Sequence, residues 1–132
     1  MAITWIVAAD SVRARVLQVA DREKRLAEVE DLLNPDGHLH EGDLVTDTEE
    51  PSEAREHSVD LFSKRVGEYL ERARAQRRYD RLYLMAPPKF LGRLRKQLGK
   101  EVEKLVCDEL DKDLYRANAR ELERYFASRP AR

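Results

Sequence analysis

The chain has 132 residues, 42% hydrophobic and 39% charged, enough apolar material for one core of ordinary domain size and too much for a disordered chain. A net charge of -1 excludes the global basicity of a nucleic-acid-coating protein, and no apolar run approaches the ~20 residues that span a bilayer. MAITWIVAAD lacks the basic lead and the length of a secretory signal, and Cys107 is the only cysteine, so no internal disulfide can form. One cytoplasmic domain over residues 1–132 is expected, with Cys107 as a small core residue.

Ile3 to Ala9 is a short continuous apolar run containing Trp5, Ile6 and Val7, which reads as a central strand. Asp10-Ser11 makes the turn, and Arg13 to Val19 alternates, with Ala14 and Val16 facing one way and Arg13 and Arg15 the other, as in a strand with one wet face. After a polar turn from Asp21 to Arg25, Leu26 to Leu33 puts Ala27, Val29 and Leu33 on one side and Glu28 and Glu30 on the other, completing an antiparallel meander. Asn34-Pro35-Asp36-Gly37 ends it as a turn. His38 to Pro51 is an acidic loop with room for a short strand around Leu44 and Val45, of a length typical of functional or mobile loops.

Ser52 caps a predicted helix whose apolar positions Val59, Phe62, Val66, Tyr69, Leu70 and Ala73 recur at helical spacing through Arg78. Acids at its start and arginines at its end match the macrodipole, which gives the cluster Arg72, Arg74, Arg77 and Arg78 a structural explanation. Leu82 to Ala86 is a second buried strand, leading through Pro87-Pro88 into a helix with Phe90, Leu91, Leu94 and Leu98 on one face and Gly99 as its C-cap. Val102 to Leu110 reads either as more helix or as a last strand through Leu105 to Asp108, and the strand is preferred. Asp113 caps a final helix carrying Ala117, Leu122, Tyr125 and Phe126, which ends before Pro130.

The order β-β-β-α-β-α-β-α predicts an α/β, three-layer, single domain. Its mixed sheet has helices on both faces and the two buried strands as parallel neighbours, an order a ribonuclease-H-like arrangement would use. Their C-terminal ends would bring Asp10, Ser11 and Arg13 beside Pro87, Pro88, Lys89 and Arg93, at the edge where open α/β sheets keep their binding crevices. Helix N-terminal N-H groups with Lys89 and Arg93 could hold a phosphate or carboxylate there. The structural alternative is that the prolines only fix a tight junction and the cations solvate an exposed face.

Catalytic readings find less. A metal-dependent nuclease needs several clustered carboxylates, and Asp10 is the only one this reading puts at the edge, since Asp80 precedes its strand and falls at the opposite end. His38 and His40 with Glu41 and Asp43 follow no structural-zinc spacing and read as a solvated acidic loop. His57 has no nucleophile partnered with it. No enzyme activity, metal or cofactor is therefore expected. The charges are uneven: Glu41 to Glu56 holds seven acids against Arg55 alone, whereas Lys89 to Lys100 holds five cations and no acid.

TWIVAADSVRARV, LLNPDG, LMAPPKFLGRLRKQL and DELDKDL together resemble the bacterial host-attachment protein family, and the APP-x-FLG-x-LR block is the most specific of them. The resemblance carries over onto Asp10, Ser11, Arg13 and Arg15, and onto Pro87, Pro88, Phe90, Leu91, Gly92, Leu94 and Arg95. It implies a fold similar to the middle domain of archaeal and eukaryotic peptide-chain release factors, and a role at ribosomes or on transfer RNA. That domain acts through a GGQ loop, which this sequence lacks, and the acidic LVTDTEEPSEAREHS stands where family members often carry a longer Gly- and Arg-containing loop. Two functions follow as expectations. One is a non-enzymatic binding domain with a protein partner. The other is an RNA- or ribosome-associated factor using Lys89, Arg93, Lys96 and Lys100 against phosphates. A homo-oligomer is compatible with either.

Overall fold

The computed structural model describes residues 3–19, 26–35 and 52–110. In chain order these form β1 (Thr4–Ala9), β2 (Arg13–Val19), β3 (Leu26–Leu33), α1 (Ser52–Ala75), β4 (Arg81–Met85), α2 (Pro88–Gln97), α3 (Lys100–Leu105) and β5 (Val106–Leu110). The loop expected at 38–51 and the last helix from Asp113 lie outside the described residues, and Ser52, expected as a cap, is the first residue of α1. One five-stranded mixed sheet has the order β3-β2-β1-β4-β5. The meander pairs antiparallel, and β1 runs parallel to β4, as β4 does to β5.

The two apolar runs become the central strands because both faces are covered. On one face Trp5, Val7, Val16, Leu82 and Leu84 meet Phe62, Val66 and Leu70 of α1 and Phe90, Leu91 and Leu94 of α2. Burying each such side chain contributes about 1.5–3 kcal/mol. On the other face Ile6, Leu17 and Met85 form a smaller cluster with Tyr83 and Leu110 packed against it. Of the wet face expected of β2 only its start is wet: Arg13 keeps 38% of its side chain exposed, whereas Arg15 is only 9% exposed. Among the described residues the helices pack on the first face.

Alternation along β3 is broken by a bulge. Val16 pairs with Glu30 and Leu17 with Glu28, which leaves Val29 without an opposite residue. Side chains beyond the bulge change face, so Val29 and Leu32 pack on the core while Leu33 is 57% exposed. This corrects the expected grouping of Ala27, Val29 and Leu33.

The segment from Val102 to Leu110 is both readings in succession, helix through Leu105 and strand from Val106, so the element order gains a helix before β5. Leu98 is extended at φ -83 and ψ 135 and stops α2. Gly99, also extended, is the N-cap of α3 and not a C-cap, with Glu101 and Glu103 in the first turn that follows. Cys107 is half-buried on the edge strand β5, outside the core.

At its C-terminus α1 stops at Ala75, short of Arg78. Arg77 takes a left-handed φ of 60. The Arg78 N-H donates to Ala73 O at 2.9 Å and the Arg77 N-H to Arg74 O at 2.8 Å, the paired bonds of a Schellman end. The turn delivers Tyr79 under Trp5, with ring centroids 4.9 Å apart, and the Arg78 guanidinium lies 5.1 Å from the Trp5 ring. The Tyr79 hydroxyl donates to Leu70 O at 2.9 Å, and burial pushes its phenol pKa up. Asp80 lies at this same end, where it accepts the Ile3 N-H at 2.7 Å.

Candidate functional site

The parallel pairing of β1 and β4 brings the β1–β2 turn beside the Pro87-Pro88 junction, and both helices that flank the sheet begin there. Glu56 and Asp60 of α1 pair with Arg93 of α2. Eleven residues after Glu56, Gly67 lies against Gln97, where an added Cβ would come within 3.0 Å of the Gln97 backbone oxygen. The two helices thus run in the same sense, with their N-terminal halves at the C-terminal ends of the strands. Both positive dipole ends are directed toward one edge.

A cleft of about 300 Å³ opens at that edge. Asp10 and Ser11 line it from the turn, Pro87, Lys89, Phe90 and Arg93 from the second junction, and Arg55, Glu56 and Val59 from α1. Of the residues expected at this edge, Asp10, Ser11, Pro87, Lys89 and Arg93 come together. Pro88 turns into a neighbouring groove between the helices, with His57, Lys64 and Lys96. Arg13 does not line the cleft. Its guanidinium forks onto Asp31 of β3 at 2.8 and 2.6 Å, because alternation along β2 aims it across the meander.

Each carboxylate of the cleft already has work. Asp10 Oδ1 accepts the N-H groups of Val12 at 2.8 Å and Arg13 at 3.0 Å, so it builds the hairpin turn. Glu56 accepts from Arg93 and lies 3.6 Å from the Lys89 ammonium. The hydrogen bond from Arg93, then the charges of Arg93 and Lys89, lower the Glu56 pKa from its ordinary value. Arg93 is held with 17% of its side chain exposed, whereas Lys89 keeps 79%.

Arg55 is different. It is half-buried, and its Nε is enclosed with no hydrogen-bond partner among the described residues. Among the described residues no carboxylate pairs with this guanidinium in the cleft wall, and the enclosed donor costs on the order of 1–3 kcal/mol. In the sequence Arg55 stands out only as the lone cation among acids. Its phase held the signal, since Arg55, Val59, Phe62 and Val66 follow the spacing of one helix face.

Asn34, a turn residue by sequence, has a second role that the sequence does not signal. It is 6% exposed. Its Nδ2 donates to Ser11 O at 2.9 Å and to Ser58 Oγ at 3.2 Å, and its N-H to Val12 O at 2.9 Å. One side chain therefore fastens the cleft's turn to α1. Among the described residues no helix is long and apolar enough to cross a membrane.

No curated protein matches the chain. A solved structure described as an archaeal protein is similar in fold, with a TM-score of 0.53 at 14% identity, covering 96% of this chain and 37% of that one. The chain thus spans well under half the length of that structure. The model of the family described as "Protein required for attachment to host cells" matches residues 5–126. That match takes in the strands, the proline junction and the cleft alike, and the chain belongs to this family.

Proposed function

We propose that the domain is a non-enzymatic binding module of the host-attachment family and that it engages its partner through the cleft where β1 and β4 end. The observation that carries this reading is Arg55, a cation enclosed in the cleft wall without a hydrogen-bond partner for its Nε among the described residues. Lys89 lines the same cleft, 79% exposed and 3.6 Å from Glu56. A guanidinium enclosed at the usual edge for ligands, with a donor left open among the described residues, is suited to meet an anion. Catalysis is left out because Asp10 is committed to its turn and Glu56 to Arg93 and Lys89, so neither is placed as a general base. The reading includes a cytoplasmic location, supported by the single cysteine.

The test is capture from native extract at low and high salt, with the wild type and an Arg55→Ala/Lys89→Ala double variant. Partners held at low salt by the wild type and lost by the double variant are expected. The same partners on both would sink the reading.

The strand order and the parallel β1–β4 pair support the ribonuclease-H-like and release-factor-like assignment of the fold. An RNA- or ribosome-associated role gains less, because Arg93, one of its four phosphate-facing cations, is occupied by Glu56 and Asp60. That role predicts binding to ribosomes or transfer RNA that falls steeply with salt.

A further inference from the structure

We infer that the cleft takes an organic monoanion, with its carboxylate or phosphodiester group on Arg55 and Lys89 and a ring-sized apolar body against Phe90, Val59 and Pro87. This rests on the binding role proposed above and names the ligand chemistry for it. Charge sets the first limit. Among the described lining residues three cations, Arg55, Lys89 and Arg93, face two acids, Asp10 and Glu56, while Asp60 holds Arg93 from outside, so the excess is at most one positive unit. One negative charge balances that, whereas a dianion would overfill it.

Helix geometry adds donors on the same side. Pro87 is the N-cap of α2 with no side-chain cap, Pro88 brings no N-H, and no acid stands in the first turn. The N-H groups of Lys89 and Phe90 therefore meet the cleft from the positive end of a ten-residue helix without an intrahelical acceptor. Glu56 shows what these cations accept: its carboxylate sits on Arg93 and beside Lys89. An incoming anion competes with Glu56, which acts as an internal stand-in.

Size and polarity set the second limit. About 300 Å³ is the lower end for ligand pockets and suits one ring with its head group. Phe90 is 4% exposed and forms a floor, not a rim.

The experiment is an amide NMR titration of the whole chain with benzoate and with methyl phenyl phosphate, against inorganic phosphate (charge without a ring) and benzamide (a ring without charge). Saturable shifts at Ser11, Lys89 and Phe90 are expected at millimolar concentration for at least one ring-bearing anion, and the stronger of the two identifies the head group. Both controls should bind about tenfold more weakly or worse, a difference of about 1.4 kcal/mol. Arg55→Ala should weaken binding about tenfold and Glu56→Gln should tighten it several-fold. Among the described residues Arg55 carries no ion pair that its loss would break, and Arg93 keeps Asp60 when Glu56 is neutralised, so both variants should fold.

Equal binding of inorganic phosphate, indifference to Arg55→Ala, or no shift with either aromatic anion would overturn the inference. If the probes are silent while the double variant still loses its captured partners, the binding role stands and only this ligand chemistry falls.

Discussion

The two ends of α1 carry arginines to the two ends of the same parallel strand pair, and they use them in opposite ways. At the N-terminal end of β1, Arg78 lies over Trp5, which itself stacks with Tyr69 and Tyr79 at centroid distances of 6.1 and 4.9 Å. Arg74 is forked onto Glu71 one turn away. At the C-terminal end Arg55 stands alone in a stretch of acids, and its Nε has no partner among the described residues. Within the dense cluster, for which the macrodipole is a structural explanation, Arg74 and Arg78 are absorbed by the fold. The isolated cation is left for a ligand. Local charge density is therefore a poor guide to availability, because an arginine beside aromatic rings or one turn from a glutamate is consumed by its neighbours.

The sharpest way to break this contrast is to remove the centre of the aromatic end. Trp5 is 1% exposed and its Nε1-H donates to Gln18 Oε1 at 3.0 Å. Trp5→Ala should cost about 3–5 kcal/mol, seen as a large fall in the urea midpoint. Arg55→Ala, by contrast, should leave the midpoint unchanged or slightly raised, since it removes an unsatisfied donor. Comparable losses would erase the distinction between the two ends.

Next in size is Asn34→Ala, which unfastens the Ser11 turn from α1 and should cost about 1–3 kcal/mol. Because that turn lines the cleft, the variant should also weaken anion binding in the native state. A loss of stability with unchanged binding would mean that the turn holds its shape without α1.

How far the sequence was readable follows from the range of the interactions involved. The strands, the proline junction and the parallel neighbours were legible, since apolar runs and periodicity report burial directly. The bulge at Val29 was not, because a one-residue register slip depends on the facing strand and leaves no composition signal. The edge was located from topology alone, and Asp10, Ser11, Pro87, Lys89 and Arg93 do line one cleft. Arg13 was misplaced because its partner Asp31 lies across the hairpin. Arg55 and Asn34 went unnoticed for a related reason: their roles depend on contacts made between distant segments. Gly99 misled because a glycine after a helix suggests a left-handed cap, whereas the chain here turns extended and starts another helix.

A smaller effect tests the aromatic end from its backbone. Arg77 holds a left-handed conformation that a side chain disfavours. Arg77→Gly should raise stability by roughly 0.5–1 kcal/mol if the Schellman turn is otherwise relaxed. A decrease would show that the Arg77 side chain earns more in contacts than its backbone costs.

The finest comparison sets Glu56 against Glu71, two carboxylates of α1 whose pKa values both lie below the ordinary 4.5. Arg93 and then Lys89 lower the first, and Arg74 lowers the second. With the folded value below the unfolded one, each pairing stabilises the fold fully above about 4.5 and is lost as pH falls through the depressed value. Glu56→Gln and Glu71→Gln should therefore both lower the urea midpoint at neutral pH, and both should converge on the wild type upon acidification. The gap should be wider for Glu56, because its carboxylate ties α1 to α2 whereas Glu71 and Arg74 are neighbours on a helix already formed. Equal gaps would mean that the Glu56–Arg93 pair adds nothing to helix docking, leaving Glu56 mainly as the internal occupant that an incoming anion displaces.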